Sequence, residues 1–398
     1  MELEVEASGI LSDLVDLRRA LHREPEVGLV LPRTQELVLD ALSGLPLEVS
    51  TGRELTSVVA VLRGGAPGPT VLLRGDMDGL PVAEETGLPY AAENGNMHAC
   101  GHDLHTAGLA GAARLLSAHR EELRGNVIFM FQPGEEGLDG AGYMLREGLL
   151  HASGDKPIAA YALHVWSQAE KGTFQLRPGT MMASSNQLHI TVRGKGGHGS
   201  MPNTAVDPVP VVAEIVLALQ AYTTRRVNVF DPVVITVTQL EAGVAINVIP
   251  NTARLGATVR TLSDATLDQL TRELPALAQR IAAAHGCTVD ARLDPQYPVT
   301  VNDAARTAEA TDVLTNAFGT NRVQRLEFPL MGAEDFSMVL REVPGTFVMV
   351  GARPDDVSAE EAPSNHSSIV RFDDTVLADT AVALTHLATQ HLIPTQPQ

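Results

Sequence analysis

The chain has few cysteines, few basic residues and no long apolar run. Only two of its 398 residues are cysteines, Cys100 and Cys287, too few for a disulfide-stapled secreted fold. Lys and Arg together number 29 against 48 acidic residues, which gives a net charge of −19, and no run of Lys or Arg reverses this balance locally. Such a chain binds phosphate backbones and anionic lipid poorly, so we expect no nucleic-acid partner and no membrane partner.

The longest apolar stretches, such as residues 158–165, are far shorter than the ~20 residues that a membrane-spanning helix needs. The chain begins Met-Glu-Leu-Glu-Val-Glu, which is acidic where a secretion signal would be basic. Hydrophobic residues make up 44% of the sequence, enough for sizeable cores. We therefore expect a globular cytoplasmic protein.

Helical and strand patterns alternate over the first part of the chain. Apolar runs at residues 70–74, 126–131 and 158–165 predict strands, and residues 103–120 predict a helix with Asp103 as its N-cap. Strands separated by helices predict an α/β layer with a largely parallel sheet. From residue 183 the order becomes β-α-β-β-α-β, which predicts a ferredoxin-like antiparallel sheet with two helices on one face.

The α/β pattern returns near residue 295. The sequence thus predicts a discontinuous catalytic domain, residues 1–182 and 295–398, interrupted by an inserted α+β domain, residues 183–294. The expected hinges lie near residues 177–183 and 294–299, where prolines and a change of composition occur. An antiparallel insert leaves edge strands, and pairing with a second copy would protect them. The insert is therefore expected to join a homodimer and to close over the substrate.

One segment concentrates histidine around the first cysteine: His98-Ala-Cys100-Gly-His102-Asp-Leu-His105. Thiolate and imidazole together suit a transition metal such as zinc. Cys100 and His102 fit one turn as a ligand pair, whereas His98 and His105 are compatible with an orienting or a packing role. The segment predicts a metal site and leaves the roles of these two histidines open.

Carboxylates follow two of the predicted strands. Asp76 and Asp78 come directly after one strand, and Glu135 and Glu136 follow another, after a Pro-Gly pair that lets both side chains turn to one site. Two neighbouring carboxylates can divide their roles, one binding a metal and the other moving protons. Each pair alone is also compatible with an ordinary solvated turn.

Three single histidines complete the pattern. His164 lies at the end of a predicted apolar strand, His366 lies in a loop, and His198 lies in a glycine-rich segment of the insert, residues 194–200. A lone strand histidine is more often a core residue than a ligand. His164 and His366 gain weight because the other segments need partners. The glycines around His198 would let the backbone approach a ligand.

Together these segments resemble the amidohydrolase branch of the M20 metallopeptidase superfamily, which includes hippurate hydrolases and indole-3-acetyl-amino-acid hydrolases. The resemblance covers nearly the whole chain. It lies in Asp-Met-Asp-Gly-Leu-Pro at 76–81, Met-His-Ala-Cys-Gly-His-Asp at 97–103, Gln-Pro-Gly-Glu-Glu at 132–136, Leu-His-Val at 163–165, Gly-Lys-Gly-Gly-His-Gly-Ser at 194–200, Asn-Val-Ile-Pro at 247–250, Gly-Ala-Glu-Asp-Phe at 332–336 and His366.

The resemblance implies a zinc-peptidase-like catalytic domain that holds two divalent metal ions (Zn, Mn, Co or Ni). Cys100 would bridge the two ions. The other ligands would be His102, Glu136, His164 and His366. Glu135 would act as the general base that takes a proton from water and passes it to the leaving nitrogen.

The resemblance also assigns roles around the metal ions. His198 would stabilise the oxyanion from the inserted lid domain, and Asn247 and Arg260 would bind the substrate carboxylate. Asp76 and Asp78 would orient the metal ligands. The implied activity is hydrolysis of the amide bond of N-acyl-amino acids of the hippurate or N-acetyl type.

Three alternatives remain open at this point. A metallo-dipeptidase or aminopeptidase on the same scaffold would need an acidic group for a free substrate amine, which the sequence does not place. A cysteine-nucleophile hydrolase would use Cys100 directly and would survive chelation. A non-catalytic metal-binding protein would have no need for Glu135 beside Glu136.

Overall fold

The structure, a computed structural model, describes residues 2–393, and Met1 and residues 394–398, the two ends of the predicted catalytic domain, lie outside the described residues. The chain divides into two compact units. The first contains the residues up to Met181, Val301–Phe328 and the residues from Met338 onward, and the second contains Met182–Thr300 and Pro329–Ser337.

One segment is grouped differently from the sequence prediction, which assigned residues 329–337 to the catalytic domain. In the structure these residues belong to the second unit. The physical reason is a set of backbone contacts: the Ala183 N–H donates to the carbonyls of Leu330 and Gly332, at 3.0 and 2.9 Å, and Met182 forms a bridge with Leu330.

Before the chain enters the second unit, it forms α1 (Leu3–Arg23), α2 (Pro32–Leu42), β1 (Leu47–Thr51), β2 (Val58–Arg63), β3 (Ala66–Asp76), α3 (His102–Ala118), β4 (Arg124–Gln132), α4 (Gly140–Arg146), β5 (Ala159–Glu170), β6 (Phe174–Leu176) and β7 (Gly179–Met182). Those of the second unit are β8 (Ser185–Arg193), β9 (Gly197–His198), α5 (Pro208–Arg226), β10 (Val234–Ala242), β11 (Val248–Ile249), β12 (Thr252–Arg260), α6 (Asp264–Ala284) and β13 (Thr288–Tyr297). The chain continues through β14 (Thr300–Asn302), α7 (Ala304–Phe318), β15 (Val323–Arg325), α8 (Ser337–Glu342), β16 (Gly345–Arg353) and α9 (Val376–Leu392).

The first unit contains an eight-stranded mixed sheet in the order β1-β2-β4-β3-β5-β16-β6-β15. Its four middle strands, β4, β3, β5 and β16, run parallel. The flanking pairs β1/β2, β2/β4 and β16/β6 are antiparallel. The edge strand β15 pairs parallel with β6. The buried middle strands carry the near-continuous apolar runs expected of central parallel strands.

Helix α3 starts at His102, and its N-cap is Gly101 instead of the predicted Asp103. Gly101 adopts a left-handed φ of 88°, and a Cβ atom there would lie 2.3 Å from Val165 Cγ2, so only glycine fits. The helix is buried along almost its whole length and packs on α1 and α9.

The Asp103 side chain serves a buried ion network. Arg18 Nε donates to Asp103 Oδ2 at 2.6 Å, His22 Nδ1 lies 2.7 Å from the same oxygen, and a second Arg18 nitrogen contacts Tyr90 and Asp374. Arg18 and Asp103 are both 0% exposed. Burial acts to raise the pKa of Asp103, but the charges of Arg18 and His22 outweigh it and hold this pKa well below its usual range. This carboxylate is therefore ionised in the folded protein.

The second unit has the predicted ferredoxin-like plan. Its four long strands form an antiparallel sheet in the order β10-β12-β8-β13. Alternate residues of β8, such as Leu188, Ile190 and Val192, point to one face and pack in a core with α5 and α6. Among the described residues, no helix combines the length and apolarity that crossing a bilayer requires.

We expect Arg18→Met to destabilise the protein by roughly 3–5 kcal/mol at neutral pH, because it leaves the Asp103 carboxylate buried without its main counter-charge. Urea denaturation would measure the change. Arg33→Met is the matched control, because Arg33 is half-exposed and pairs with the exposed side chain of Glu24. Equal losses in the two variants would contradict the importance of the buried network.

Candidate metal centre

The residues predicted to bind metal come together at one edge of the large sheet. β3 ends at Asp76, β4 ends at Gln132 just before the two glutamates, and β5 carries His164. These strands are parallel neighbours, so their carboxyl ends meet at the same edge, where sites form in open α/β sheets. His102 begins α3, and His366 lies in the loop between β16 and α9.

Cys100 lies at the centre of the cluster. Its sulfur is 3.4 Å from His164 Nε2 and 3.2 Å from His366 Nε2. His366 Nε2 is in turn 3.2 Å from Glu136 Oε1. The potential ligand atoms form two triads, Cys100/His102/His164 and Cys100/Glu136/His366, each within 4.8 Å. The sulfur belongs to both, as a ligand shared between two ions would.

Two residues test whether divalent metal ions fit this cluster. Both ring nitrogens of His102 and Oε1 of Glu136 are buried without a well-formed hydrogen bond among the described residues, although Glu136 Oε1 lies within ion-pair distance of His366 Nε2. The His102 nitrogens lie 3.6 and 3.4 Å from Asp76 Oδ2 and Asp78 Oδ1, but without hydrogen-bond geometry. Unpaired buried polar atoms are costly. A thiol, imidazoles and a carboxylate arranged in this way fit zinc-like divalent ions.

His164 has the protonation state that a metal ligand needs. Its Nδ1 lies 2.8 Å from the Val165 carbonyl, an acceptor, so Nδ1 carries the proton and Nε2 presents its lone pair toward Cys100. Burial, with the neighbouring His105, lowers the pKa of His164 well below its usual range. The ring is therefore neutral.

His105 and His98, whose roles the sequence left open, are now separated. The Val165 backbone N–H donates to His105 Nε2 at 2.8 Å, so Nδ1 carries the proton and donates to Asp76 Oδ1 at 2.5 Å. Both nitrogens of His105 are thus occupied, and the residue orients Asp76. His98 is buried beside His22, and burial lowers its pKa to about 3, so it is neutral. It joins none of the candidate ligand groups found among the described residues.

Asp76 and Asp78 support the site in different ways. Asp76 pairs with Arg74. Burial acts to raise the pKa of Asp76, but Arg74 together with His102 and His105 outweighs it and holds this pKa well below its usual range. Asp78 accepts the backbone N–H groups of Glu135 and Glu136 through its two oxygens, each at 3.1 Å. Sequence reasoning missed Arg74, although a charged residue inside an apolar strand signals a buried partner of opposite charge.

The turn after β4 brings both glutamates to the cluster. Gly134 has φ +73°, and a Cβ atom there would lie 2.4 Å from Leu29 Cδ2. Glu135 is 6% exposed, and a carboxylate oxygen of it lies in one group with ligand atoms of His102 and Glu136, within 4.8 Å. Adjacent residues that would face opposite ways in a strand therefore share one site.

His366 reaches the cluster from the loop between β16 and α9 and contacts Cys100 and Glu136. It has φ +73°, which is uncommon for a residue other than glycine, and its N–H donates to the Ala99 carbonyl at 2.9 Å. The neighbouring Cys100 and Glu136 side chains raise the pKa of His366 to about 10. Metal binding at this ring would therefore release a proton.

In the second unit, His198 and Asn247 lie side by side. β9 pairs with β11, which places His198 opposite Val248, and the Gly199 N–H donates to the Asn247 carbonyl at 2.8 Å. The Ser200 backbone N–H and hydroxyl lie 3.2 and 2.8 Å from His198 Nδ1. A backbone N–H can only donate, so neutral His198 carries its proton on Nε2 and presents a donor.

Arg260 lies elsewhere in the same unit. It is the last residue of β12, while His198 and Asn247 lie close to the first, Thr252. Eight residue steps at ~3.3 Å each separate these ends by roughly 26 Å. The structure thus does not bring Arg260 together with His198 inside one copy of this unit. Arg260 is half-buried, its Nη1 has no partner among the described residues, and burial lowers its pKa.

Comparison with known proteins gives consistent matches over nearly the whole chain. The profile of peptidase family M20/M25/M40 matches residues 72–390. Thermostable carboxypeptidase 1 of Saccharolobus solfataricus is 35% identical over 380 residues, 94% of each chain. IAA-amino acid hydrolase ILR1-like 5 of Arabidopsis thaliana is 35% identical over 96% of this chain and 87% of its own. The YXEP protein of Bacillus subtilis, a dinuclear metal binding peptidase from the M20 family, superposes with TM-score 0.81 and 29% identity over 96% of this chain and 98% of its own.

Substitutions of the two adjacent glutamates should affect metal binding differently. We expect Glu136→Gln to weaken zinc binding at least about 10–100-fold, because it removes a charged oxygen from one triad. Glu135→Gln should keep its metal content. Equilibrium dialysis followed by elemental analysis would measure both variants. The reverse pattern would exchange the roles assigned to the two residues.

Proposed function

The chain belongs to peptidase family M20/M25/M40, whose members hydrolyse amide bonds, and on that premise we propose that it removes the acyl group from N-acyl-amino acids. The observation that carries the proposal is the position of the Cys100 sulfur, which belongs to two triads of ligand atoms beside the buried Glu135. The proposed substrates are of the hippurate or N-acetyl type.

In this proposal Cys100, His102, Glu136, His164 and His366 hold two divalent ions. When bound, the ions would polarise the scissile carbonyl and make a water molecule more acidic. The Glu135 carboxylate takes the proton of the attacking water and delivers it to the leaving nitrogen, which lets the amine depart. Asp78 keeps this carboxylate in place, because it fixes the backbone of the Glu135–Glu136 turn.

Three side chains that can donate hydrogen bonds, those of His198, Arg260 and Asn247, complete the proposed site. His198 donates a hydrogen bond from its Nε2–H to the developing oxyanion, a role that its tautomer supports. Arg260 binds the substrate carboxylate, because its half-buried guanidinium has an unpartnered nitrogen among the described residues and its planar fork matches a carboxylate. Asn247, beside His198, would supply a further polar contact to the substrate.

We propose zinc, manganese, cobalt or nickel as the metal, and the cytoplasm as the location. Cys100 and Cys287 are both free thiols, which suits a reducing compartment.

The alternative with the same metal centre is a dipeptidase or aminopeptidase. It would require an acidic partner for the free amine of the substrate, whereas an N-acyl-amino acid requires only recognition of its carboxylate. A cysteine-nucleophile hydrolase would retain activity after chelation, so loss of activity with a chelator and recovery with added metal would exclude it. A panel of hippurate, N-acetyl-amino acids, N-acetyldiaminopimelate and free dipeptides separates the metal-dependent candidates.

The positions of His198 and Arg260 support the proposed homodimer. The roughly 26 Å along β12 exceed the length of a small N-acyl-amino acid, so one substrate cannot contact both residues of the same copy. We propose that one protomer supplies Arg260 and its partner supplies His198. The edge strand β10 suits the interface, because Leu240 is 58% exposed there and the following Ile246 is fully exposed. The other edge, β13, carries charged residues and Pro295, which discourage pairing.

We expect Glu135→Gln to lower kcat about 10²–10⁴-fold, because general-base assistance contributes a factor of this size. Steady-state kinetics on the best substrate of the panel, with metal content measured in parallel, would test this. A metal-loaded variant with near-normal turnover would remove Glu135 from the mechanism.

A mixing experiment tests the shared site. His198→Ala and Arg260→Ala should each be nearly inactive alone. Subunit exchange between them should restore roughly a quarter of wild-type activity, because half of the dimers are mixed and each of these contains one intact site. Sedimentation would confirm that the dimers form, and a large tag fused to one of the two variants would let the same measurement detect their exchange. No recovery despite exchange would show that both residues act from one protomer.

A further inference from the structure

The side-chain amide of Asn365 lies among the three segments that carry Cys100, His164 and His366. Its Nδ2 donates to the Cys100 carbonyl at 3.3 Å and to the Val165 carbonyl at 3.0 Å. Its Oδ1 accepts the backbone N–H of Ser167 at 3.1 Å and lies 2.9 Å from the Ser167 hydroxyl. The residue is the chain neighbour of His366 and contacts the segments of both other ligands.

These contacts use the full hydrogen-bonding capacity of an amide. The two amide N–H groups donate to two carbonyls, and the amide oxygen accepts the N–H of Ser167 in β5, the strand that also carries His164. An apolar side chain of similar size would make none of these hydrogen bonds to the backbone. A carboxylate would keep the acceptor but would set negative charge against the two carbonyls. The position therefore requires a side chain that both donates and accepts.

The backbone beside Asn365 is in an uncommon conformation. His366 has φ +73°, a conformation that persists in a residue other than glycine only when the surroundings impose it. The His366 N–H bond to the Ala99 carbonyl, at 2.9 Å, supplies one restraint, and the Asn365 amide supplies the others from the adjacent residue. The bonds to Ala99 and Cys100 attach the His366 loop to the segment that carries Cys100, and the remaining Asn365 bonds attach it to β5.

We propose that Asn365 is a positioning residue that sets the spacing of Cys100, His164 and His366 before metal binds. The proposal rests on the metal centre of the proposed function, and it concerns the triad Cys100/Glu136/His366 most directly, because His366 is the ligand on the Asn365 loop. Without the amide, the loop gains conformations in which His366 Nε2 no longer lies close to the Cys100 sulfur. Metal binding then has to select the competent conformation, which weakens its apparent affinity.

The test is a Co(II) titration of metal-free protein, with Asn365→Leu and Asn365→Asp compared to wild type. Cobalt reports the site through its thiolate-to-metal charge-transfer band and its ligand-field bands, and competition with a chelator gives the affinity. We expect both variants to bind at least one Co(II) about 10–100-fold more weakly, as is typical when residues that orient metal ligands are lost. The ligand-field bands should also change, which a purely structural role would not cause.

Ser364→Ala is the matched control, because Ser364 is exposed on the same loop. It should titrate like wild type. Circular dichroism and thermal unfolding of the metal-free variants show whether they fold. If Asn365→Leu does not fold, the isosteric Asn365→Asp variant provides the test. A folded Asn365 variant with wild-type affinity and spectrum would overturn the proposal. A wild-type titration without any charge-transfer band would instead refute the metal centre itself, and this inference with it.

Discussion

The site depends on one constraint: the candidate ligands Cys100, His102 and His164 converge where the protein excludes water. Groups that lose hydration need partners inside the protein. Arg74 and His105 satisfy Asp76, and the two backbone N–H groups of the glutamate turn satisfy Asp78. Among the described residues, the His102 nitrogens and Glu136 Oε1 make no such hydrogen bond, although the Glu136 oxygen lies 3.2 Å from His366 Nε2. The surrounding hydrogen bonds thus satisfy Asp76 and Asp78 and leave His102 and Glu136 as candidate ligands of a metal ion.

The residues that hold the candidate ligands in place are connected to one another through the backbone of β5. Val165 donates its N–H to His105, and its carbonyl lies next to both His164 Nδ1 and Asn365 Nδ2. The same residue excludes any side chain at position 101, because its Cγ2 would lie 2.3 Å from a Cβ atom there. A small shift of β5 would therefore disturb a ligand, an orienting histidine and the start of α3 together. A rigid central strand is suited to this task, since interiors are too densely packed to deform gradually.

The sequence predicted those parts of the protein that local patterns determine. The β-α-β-β-α-β order and the glutamate turn follow from periodicity and from Pro and Gly positions, and the five ligand candidates follow from residue type and the family resemblance. The role of Asp103 could not be predicted, because its partner Arg18 lies 85 positions away and only the packing of α1 on α3 brings them together. The sequence left the roles of His98 and His105 equally open, because both lie in one segment. The backbone N–H of Val165 in β5 distinguishes them, because it donates to His105.

The discontinuity of the first unit determines the order in which the protein can fold during synthesis. The four long strands and two helices of the second unit lie within Met182–Thr300, so this part of the unit can fold before the rest of the chain has emerged, and Pro329–Ser337 joins it later. The large sheet must wait for β16, which lies between β5 and β6. His366 emerges later still. A nascent chain therefore carries the Cys100 thiol without its complete set of neighbours, and the hydrolytic centre is assembled only after the loop that carries His366 has emerged.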